Sequence, residues 1–122
     1  MTIDMTSKIL LIGDYPNKNG YTYPRNVLLS MCDDSSREYH GSFINVDFSD
    51  DHQKVAIIAK NLRVESNILL CDFTIQDTLY GLLLQKYIKE QPFMLSPHGS
   101  WYIDDNDGTS KYNLKHINVE LT

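Results

Sequence analysis

The sequence predicts an α+β fold, with a mainly antiparallel sheet or a small barrel and two short helices. Residues 68–75 place every second side chain on one fully apolar face, as a strand packed on a core does. From residue 77 the apolar period changes to that of a helix. Elsewhere strands and helices follow one another without regular alternation, which favours antiparallel over parallel pairing.

The strand and the helix in this central stretch are the strongest elements of the pattern. Four apolar residues share one face of the strand: Leu69, Cys71, Phe73 and Ile75. Five apolar residues fall on one stripe of the helix: Tyr80, Leu83, Leu84, Tyr87 and Ile88. Asp77 or Thr78 can cap the first turn, and Pro92 prevents the helix from continuing.

The N-terminal part is predicted to contain a tail, a strand and a helix. Residues 1–7 have the composition of a loose tail, and residues 8–122 form one domain whose first strand is Lys8–Gly13. Asn19-Gly20 is the expected centre of a turn. Pro24 can begin a helix in which apolar residues recur at helical spacing: Val27, Leu28, Met31 and Cys32.

Two more strands are predicted before the central one. Residues 43–48 alternate as a strand, and the polar residues 49–52 would end it in a turn. Residues 55–64 are apolar and β-branched, which is typical of a strand. Residues 65–67 would join that strand to the central one as a short hairpin.

The C-terminal part is predicted to form a strand that ends at Ser96, then a hairpin. Asp104–Gly108 lacks the glutamate that closes a calcium loop, so it is interpreted as a hairpin turn. The apolar residues of the last strand change parity: Tyr112 and Leu114 before the change, Ile117, Val119 and Leu121 after it. A bulge near Lys115 or His116 would reconcile the two halves.

Charge and hydropathy narrow the range of partners. The 122 residues include 11 basic and 16 acidic side chains, a formal net charge of -5, and no basic run. Nucleic acid is therefore not expected as a partner. No apolar run approaches the roughly 20 residues that span a bilayer, and the first residues lack a signal peptide's apolar centre. We expect no membrane partner and an intracellular protein.

The sequence contains none of the common cofactor or metal motifs. GxGxxG, GxxxxGK[ST], HExxH and CxxC are all absent, so no cofactor and no metal is expected. Cys32 and Cys71 fall in a predicted helix and a predicted strand. They are interpreted as buried thiols rather than a disulfide.

Ser96 is the candidate nucleophile. A serine hydrolase needs a base within hydrogen-bond distance and N–H donors for the oxyanion. Gly99 would let backbone N–H groups approach a substrate. Four histidines are available as the base, and no spacing singles one out: His40, His52, His98 and His116. His98 lies roughly 6.6 Å from Ser96 along an extended strand, which is too far for a direct bond. The alternative is a structural serine that bonds its own turn.

Several stretches together resemble the prohead (head-maturation) serine protease family of tailed phages, which is related in fold to herpesvirus assemblin. The matching stretches keep the family's order and spacing over residues 8–121: the opening N-x-N-G motif at 17–20 with Tyr23-Pro24 and Val27-Leu28, the central segment at 61–81, the nucleophile segment Leu95–Gly99, and the closing strand at 112–119. The resemblance implies a prohead-protease-like fold with Ser96 at the nucleophile position.

The catalytic residues of the family are not all retained. If Gly41 is aligned with the glycine of the family's G-E-L-D-H-P segment, Asn45 occupies the position of the catalytic histidine. An amide cannot act as a base. Pro97 follows Ser96 and has no N–H to donate to an oxyanion. A different register would bring His40 or His52 into place.

The resemblance therefore implies a phage head (capsid) associated structural or assembly protein that has lost peptidase activity. Such a protein would act by binding capsid, scaffold or other virion proteins, or copies of itself, in the virion or in the host cytoplasm during assembly. The alternative is an active serine endopeptidase that processes scaffold and capsid proteins. In that case Ser96 is the nucleophile, and His52 or His40 is the base.

Overall fold

Two antiparallel sheets and two α-helices make up the part of the chain that the computed structural model describes, residues 3–11, 25–32, 36–65 and 68–121. The strands are β1 (Ile3–Leu11), β2 (Tyr39–Gly41), β3 (Ile57–Glu65), β4 (Ile68–Ile75), β5 (Phe93–Ile103) and β6 (Ser110–Leu121). The helices are α1 (Arg25–Met31) and α2 (Leu79–Tyr87), and His52–Lys54 forms one 3₁₀ turn. The predicted α+β class is confirmed. No helix within these ranges has both the length and the apolar character needed to cross a membrane.

The four-stranded sheet has the order β1-β4-β3-β2, and β5 pairs with β6 in a separate hairpin. All of these pairs are antiparallel. A parallel bridge between Phe43, just after β2, and Val119 of β6 connects the hairpin to the four-stranded sheet. The Val119 N–H donates to the Ser42 carbonyl at 2.8 Å, and the Ile44 N–H donates to the Val119 carbonyl at 3.1 Å. Within the described ranges the strands form open sheets and not a closed barrel.

The core lies against β4, as the alternation predicted. Leu69, Cys71, Phe73 and Ile75 are all buried, whereas the residues between them are partly exposed. From α1 the residues Val27, Leu28 and Met31 join the same cluster, and the hairpin contributes Leu95, Ile117 and Val119. Cys32 and Cys71 do not form a disulfide, and Cys71 is buried whereas Cys32 is partly buried. Burial raises the pKa of the Cys71 thiol to about 12, so this thiol stays neutral.

Helix α2 begins at the predicted cap. The Thr78 hydroxyl accepts a hydrogen bond from the Gly81 N–H at 3.0 Å and donates one to the Val55 carbonyl at 2.6 Å. These two bonds fix the start of α2 against the chain before β3. The helix buries Leu84 and partly buries Tyr80, Tyr87 and Ile88. Leu83, which was predicted to share that stripe, lies on the exposed side.

The first strand starts earlier than predicted. Residues 3–7 were expected to form a loose tail, but they pair with β4 from Ile3 opposite Ile75 to Ser7 opposite Cys71. The tail prediction is wrong for these residues. Backbone hydrogen bonds between strands need no apolar side chains, so the polar composition of this segment did not reveal its pairing.

The strand predicted at residues 43–48 does not form. Phe43 makes only the isolated bridge, and the Val46 N–H then donates back to the Phe43 carbonyl at 3.1 Å. Asn45 in this turn has a φ of 68°, a left-handed conformation that asparagine tolerates. The Asp47 carboxylate accepts from the Ser49 N–H at 3.0 Å. Local hydrogen bonds within the backbone turn and to the Asp47 side chain compete with strand pairing, and here they prevail.

The predictions for the two hairpins are confirmed. β3 and β4 pair as expected, although residues 66 and 67 of their connection lie outside the described residues. In β6 the register changes between His98–His116 and Gly99–Leu114, which makes Lys115 the extra residue of the bulge. The Lys111 amine lies 2.7 Å from Asp104 and 3.7 Å from Asp107, so a lysine partners the acidic turn. The turn at 19–20 and the Pro24 start fall outside the described ranges.

Candidate functional site: a histidine cluster beside Ser96

Ser96 lies within β5 and not at its end. The strand has 11 residues and continues to Ile103, so the prediction that it ends at Ser96 is wrong. Ser96 pairs with Asn118 of β6 and is half-buried. The next residue, Pro97, faces Ile117 in the same ladder. Strand pairing extends past Ser96 because the tight turn that starts at Asp104 sets the register of the whole hairpin.

Three histidines gather on the outer face of the strands next to Ser96. His98 and His116 lie directly opposite each other in the hairpin, and their rings stack with centroids 5.9 Å apart and planes 16° apart. Phe48 packs edge-on against the His116 ring at 4.8 Å. His40 comes from β2, which runs beside β6. We call His40, His98 and His116 the histidine cluster.

The environment of His116 favours its neutral form. Partial burial of the ring lowers the pKa of His116, and the positive charges of His98, His40 and Lys115 lower it further. The buried Nδ1 atom has no hydrogen-bond partner among the described residues. Within the histidine cluster these effects favour the neutral imidazole of His116, and a neutral imidazole can accept a proton.

His116 lies diagonally across the hairpin from Ser96. Since Ser96 faces Asn118 and His98 faces His116, His116 takes the diagonal position across the ladder, roughly 7–8 Å from Ser96 between Cα atoms. Within the described part of the chain, no hydrogen bond joins the Ser96 hydroxyl to an imidazole. His52 lies in the 3₁₀ turn, which packs against α2.

Asn45, the residue aligned with the family's catalytic histidine, is an exposed turn residue just beyond the Phe43 bridge, and no contact within the described residues joins it to the histidine cluster. Sequence reasoning counted His116 among four available histidines but did not select it. The signal that could have selected it was the parity change in the last strand. That change places the bulge at Lys115, and the bulge puts His116 opposite His98.

A cavity lies between α1 and the hairpin, apart from the histidine cluster. It has a volume of about 180 Å³ and is lined by Met31, Arg37, Tyr39, Tyr102 and Tyr112, among others. The Arg37 guanidinium lies 4.8 Å from the centre of the Tyr39 ring. Over the residues described, no three His, Cys, Asp or Glu side chains are grouped as a metal ion would require.

We expect His116 to make the protein less stable in mild acid. Its folded-state pKa lies below the ordinary value of 6.5, so the unfolded chain binds this proton more readily than the folded chain. The free energy of unfolding should therefore fall as the pH drops from about 7.5 to about 5.5. Urea unfolding at the two pH values measures this, and His116→Gln should reduce the drop.

The matched control is His52→Gln, which removes an exposed histidine outside the cluster. It should keep the pH dependence of the unmodified chain. Carboxylates affect this comparison little, because the ordinary pKa values of aspartate and glutamate are about 4, which lies below the pH range of the measurement. If the free energy of unfolding fell with pH by the same amount in His116→Gln as in His52→Gln, the role given to His116 would be contradicted.

When the chain is compared with family models, curated proteins and solved structures, none of the three comparisons gives a significant match.

Proposed function

We propose that the chain is a noncatalytic, protein-binding component of a tailed-phage head on a prohead-protease-like fold. The observation that carries the noncatalytic part is the setting of Ser96. It lies within a paired 11-residue strand and is followed by Pro97, which has no N–H for an oxyanion. Serine nucleophiles instead need an exposed hydroxyl with free N–H donors around it. The assignment to a phage head rests on the resemblance of the sequence to the prohead protease family.

Exposed apolar side chains supply the surface for protein binding. At the end of the hairpin Trp101, Tyr102 and Ile103 are exposed, and on α2 the exposed residues are Leu79, Leu82 and Leu83. Contiguous exposed apolar residues with aromatic anchors are typical of protein interfaces. The partners we propose are capsid, scaffold or other virion proteins, met in the virion or in the host cytoplasm during assembly.

One observation favours a second candidate, an active serine endopeptidase. The pKa of His116 is lowered, its Nδ1 atom has no hydrogen-bond partner among the described residues, and the residue lies diagonal to Ser96. In this alternative His116 takes the proton of Ser96, in place of the His40 or His52 that the sequence suggested.

We expect a fluorophosphonate probe to leave Ser96 unlabelled. The probe reacts with serines that a neighbouring base activates, and the Ser96 hydroxyl has no hydrogen bond to an imidazole in the described structure. Labelling of the purified chain should equal that of Ser96→Ala. Mass spectrometry of the labelled peptides measures both.

A known serine protease provides the positive control for the probe. If the unmodified chain is labelled and Ser96→Ala is not, the noncatalytic proposal is wrong. His116→Gln then separates the possible bases, since loss of labelling in this variant identifies His116, whereas retained labelling points to another base such as His40.

Association with the phage head is tested separately by quantitative mass spectrometry of purified proheads and mature virions from the source phage. A fixed copy number in either particle supports a head component. Absence from both particles contradicts head association, whatever the result for Ser96.

A further inference from the structure

Two imidazole rings meet across the hairpin without a polar partner. His98 of β5 and His116 of β6 are directly opposite each other, and we call them the histidine pair. Directly opposite side chains leave their strands on the same face. Among the described residues neither ring takes part in a hydrogen bond, and the buried nitrogen of His116 is Nδ1. The nitrogens of the exposed His98 ring and the Nε2 atom of His116 are therefore available to a ligand.

The groups around the histidine pair determine which kind of ligand fits. The charged groups that act on His116 are His98, His40 and Lys115, and none of them is a carboxylate. Calcium and magnesium bind through oxygen ligands, so this setting does not suit them. Imidazole nitrogens instead suit the late first-row divalent ions Ni²⁺, Cu²⁺ and Zn²⁺. Because the Lys115 amine repels a cation, the attraction has to come from coordination by the two rings.

The separation of the two rings is compatible with a shared ion. An imidazole nitrogen binds Zn²⁺ at about 2.0–2.1 Å, so two ring centroids lie roughly 5 Å apart around a tetrahedral ion and roughly 6 Å apart around a linear one. The observed 5.9 Å lies within this range. The ring planes are 16° apart, so one ring must turn before both nitrogens point at a common ion. His98 is exposed and the histidine χ2 is a broad torsion, so this turn costs little.

We propose that His98 and His116 together bind one divalent transition-metal ion of the class of Ni²⁺, Cu²⁺ and Zn²⁺. Three protein ligands, as a tightly held ion has, are not grouped within the described residues, so water fills the remaining positions and the ion exchanges readily. No sequence motif predicted this site, because its ligands lie on different strands. The inference is independent of the proposed function, since metal binding by the purified chain requires neither a phage head nor the Ser96 hydroxyl.

Calorimetric titration of the untagged chain with NiCl₂ tests the site. At about pH 8 an ordinary histidine is neutral, and we expect one Ni²⁺ to bind with a Kd below about 100 μM. His98→Gln and His116→Gln should each weaken binding at least about tenfold, because each variant leaves a single ring to hold the ion. The double variant should be barely weaker than either single variant, because one substitution already removes the shared coordination.

Three control variants should keep the Kd within about threefold of the unmodified value. His52→Gln removes an exposed histidine outside the cluster, Cys32→Ser removes a partly buried thiol, and His40→Gln removes the third member of the cluster. Circular dichroism should show every variant folded. The inference is overturned if the unmodified chain binds as weakly as the double variant, if His98→Gln or His116→Gln binds normally, or if any control weakens binding tenfold.

Nuclear magnetic resonance of the imidazole rings gives an independent readout. Added ZnCl₂ should shift the ring signals of His98 and His116 together, with one shared affinity, because both rings bind the same ion. The ring signals of His52 should not follow that titration, and MgCl₂ should leave all three rings unchanged. A shift confined to one ring of the histidine pair, or equal shifts with MgCl₂, would overturn the proposed site.

Discussion

Phe73→Ala is expected to lower the free energy of unfolding by about 3–5 kcal/mol, because it empties the centre of the core. The Phe73 side chain is 1% exposed and packs edge-on against Phe93 with ring centroids 6.1 Å apart. Its strand is paired on both sides, with β1 and with β3. The residue opposite it on β3 is Ala59, which is too small to fill the space left by the ring. Urea unfolding measures the loss.

Two further substitutions provide stability losses with which the loss in Phe73→Ala can be compared. Phe73→Leu keeps most of the volume and should cost less than about 1.5 kcal/mol. Met94→Ala removes an apolar side chain that is 45% exposed, and it should change stability by no more than about 0.5 kcal/mol. A Phe73→Ala protein that is as stable as Met94→Ala would show that the core is not centred on β4.

The elements that the sequence predicted well are those whose side-chain period alone determines the structure. The alternation from Leu69 to Ile75 gave the buried face of β4 residue by residue. The parity change in β6 predicted a bulge near Lys115 or His116, since a strand that buries both halves must add one residue between them, and the structure places it at Lys115. In each case only one arrangement of the strand buries all of its apolar side chains on the same face.

Other elements depend on backbone hydrogen bonds that side-chain periods do not encode. The segment at 43–48 alternates well enough for a strand, but Asn45 adopts a positive φ and the backbone turns. Residues 3–7 look polar, yet they pair with β4. The position of Ser96 depended on where β5 ends, and pairing with β6 carries that strand on to Ile103.

The histidine cluster was beyond sequence reasoning for a related reason. Its members come from three strands, β2, β5 and β6, and the link between β2 and β6 is a close backbone approach at Gly41. A glycine in a three-residue strand gives no indication of the neighbour it touches. Ser96 itself was predictable as a candidate, whereas the base beside it required the register of the hairpin and the position of β2.

Gly41→Ala is expected to lower the free energy of unfolding by at least about 3 kcal/mol. A Cβ at this position would overlap with the carbonyl oxygen of Ile117, lie 2.7 Å from its carbonyl carbon, and lie 3.2 Å from a side-chain carbon of Ile57. The first two atoms belong to the backbone of β6 and cannot rotate away. The substitution must therefore push β2 and β6 apart, and thermal or urea unfolding measures the cost.

The neighbouring substitution His40→Ala is the matched control, because His40 is exposed on the same short strand and its loss should change stability by no more than about 0.5 kcal/mol. Gly108→Ala tests a different effect of glycine: its φ is 71° and no atom lies within 4 Å of an added Cβ, so only backbone strain of about 1 kcal/mol is expected. If Gly41→Ala cost no more than Gly108→Ala, β2 would not lie against β6. His40 would then not lie near His116, and the histidine cluster would consist only of His98 and His116 in the hairpin.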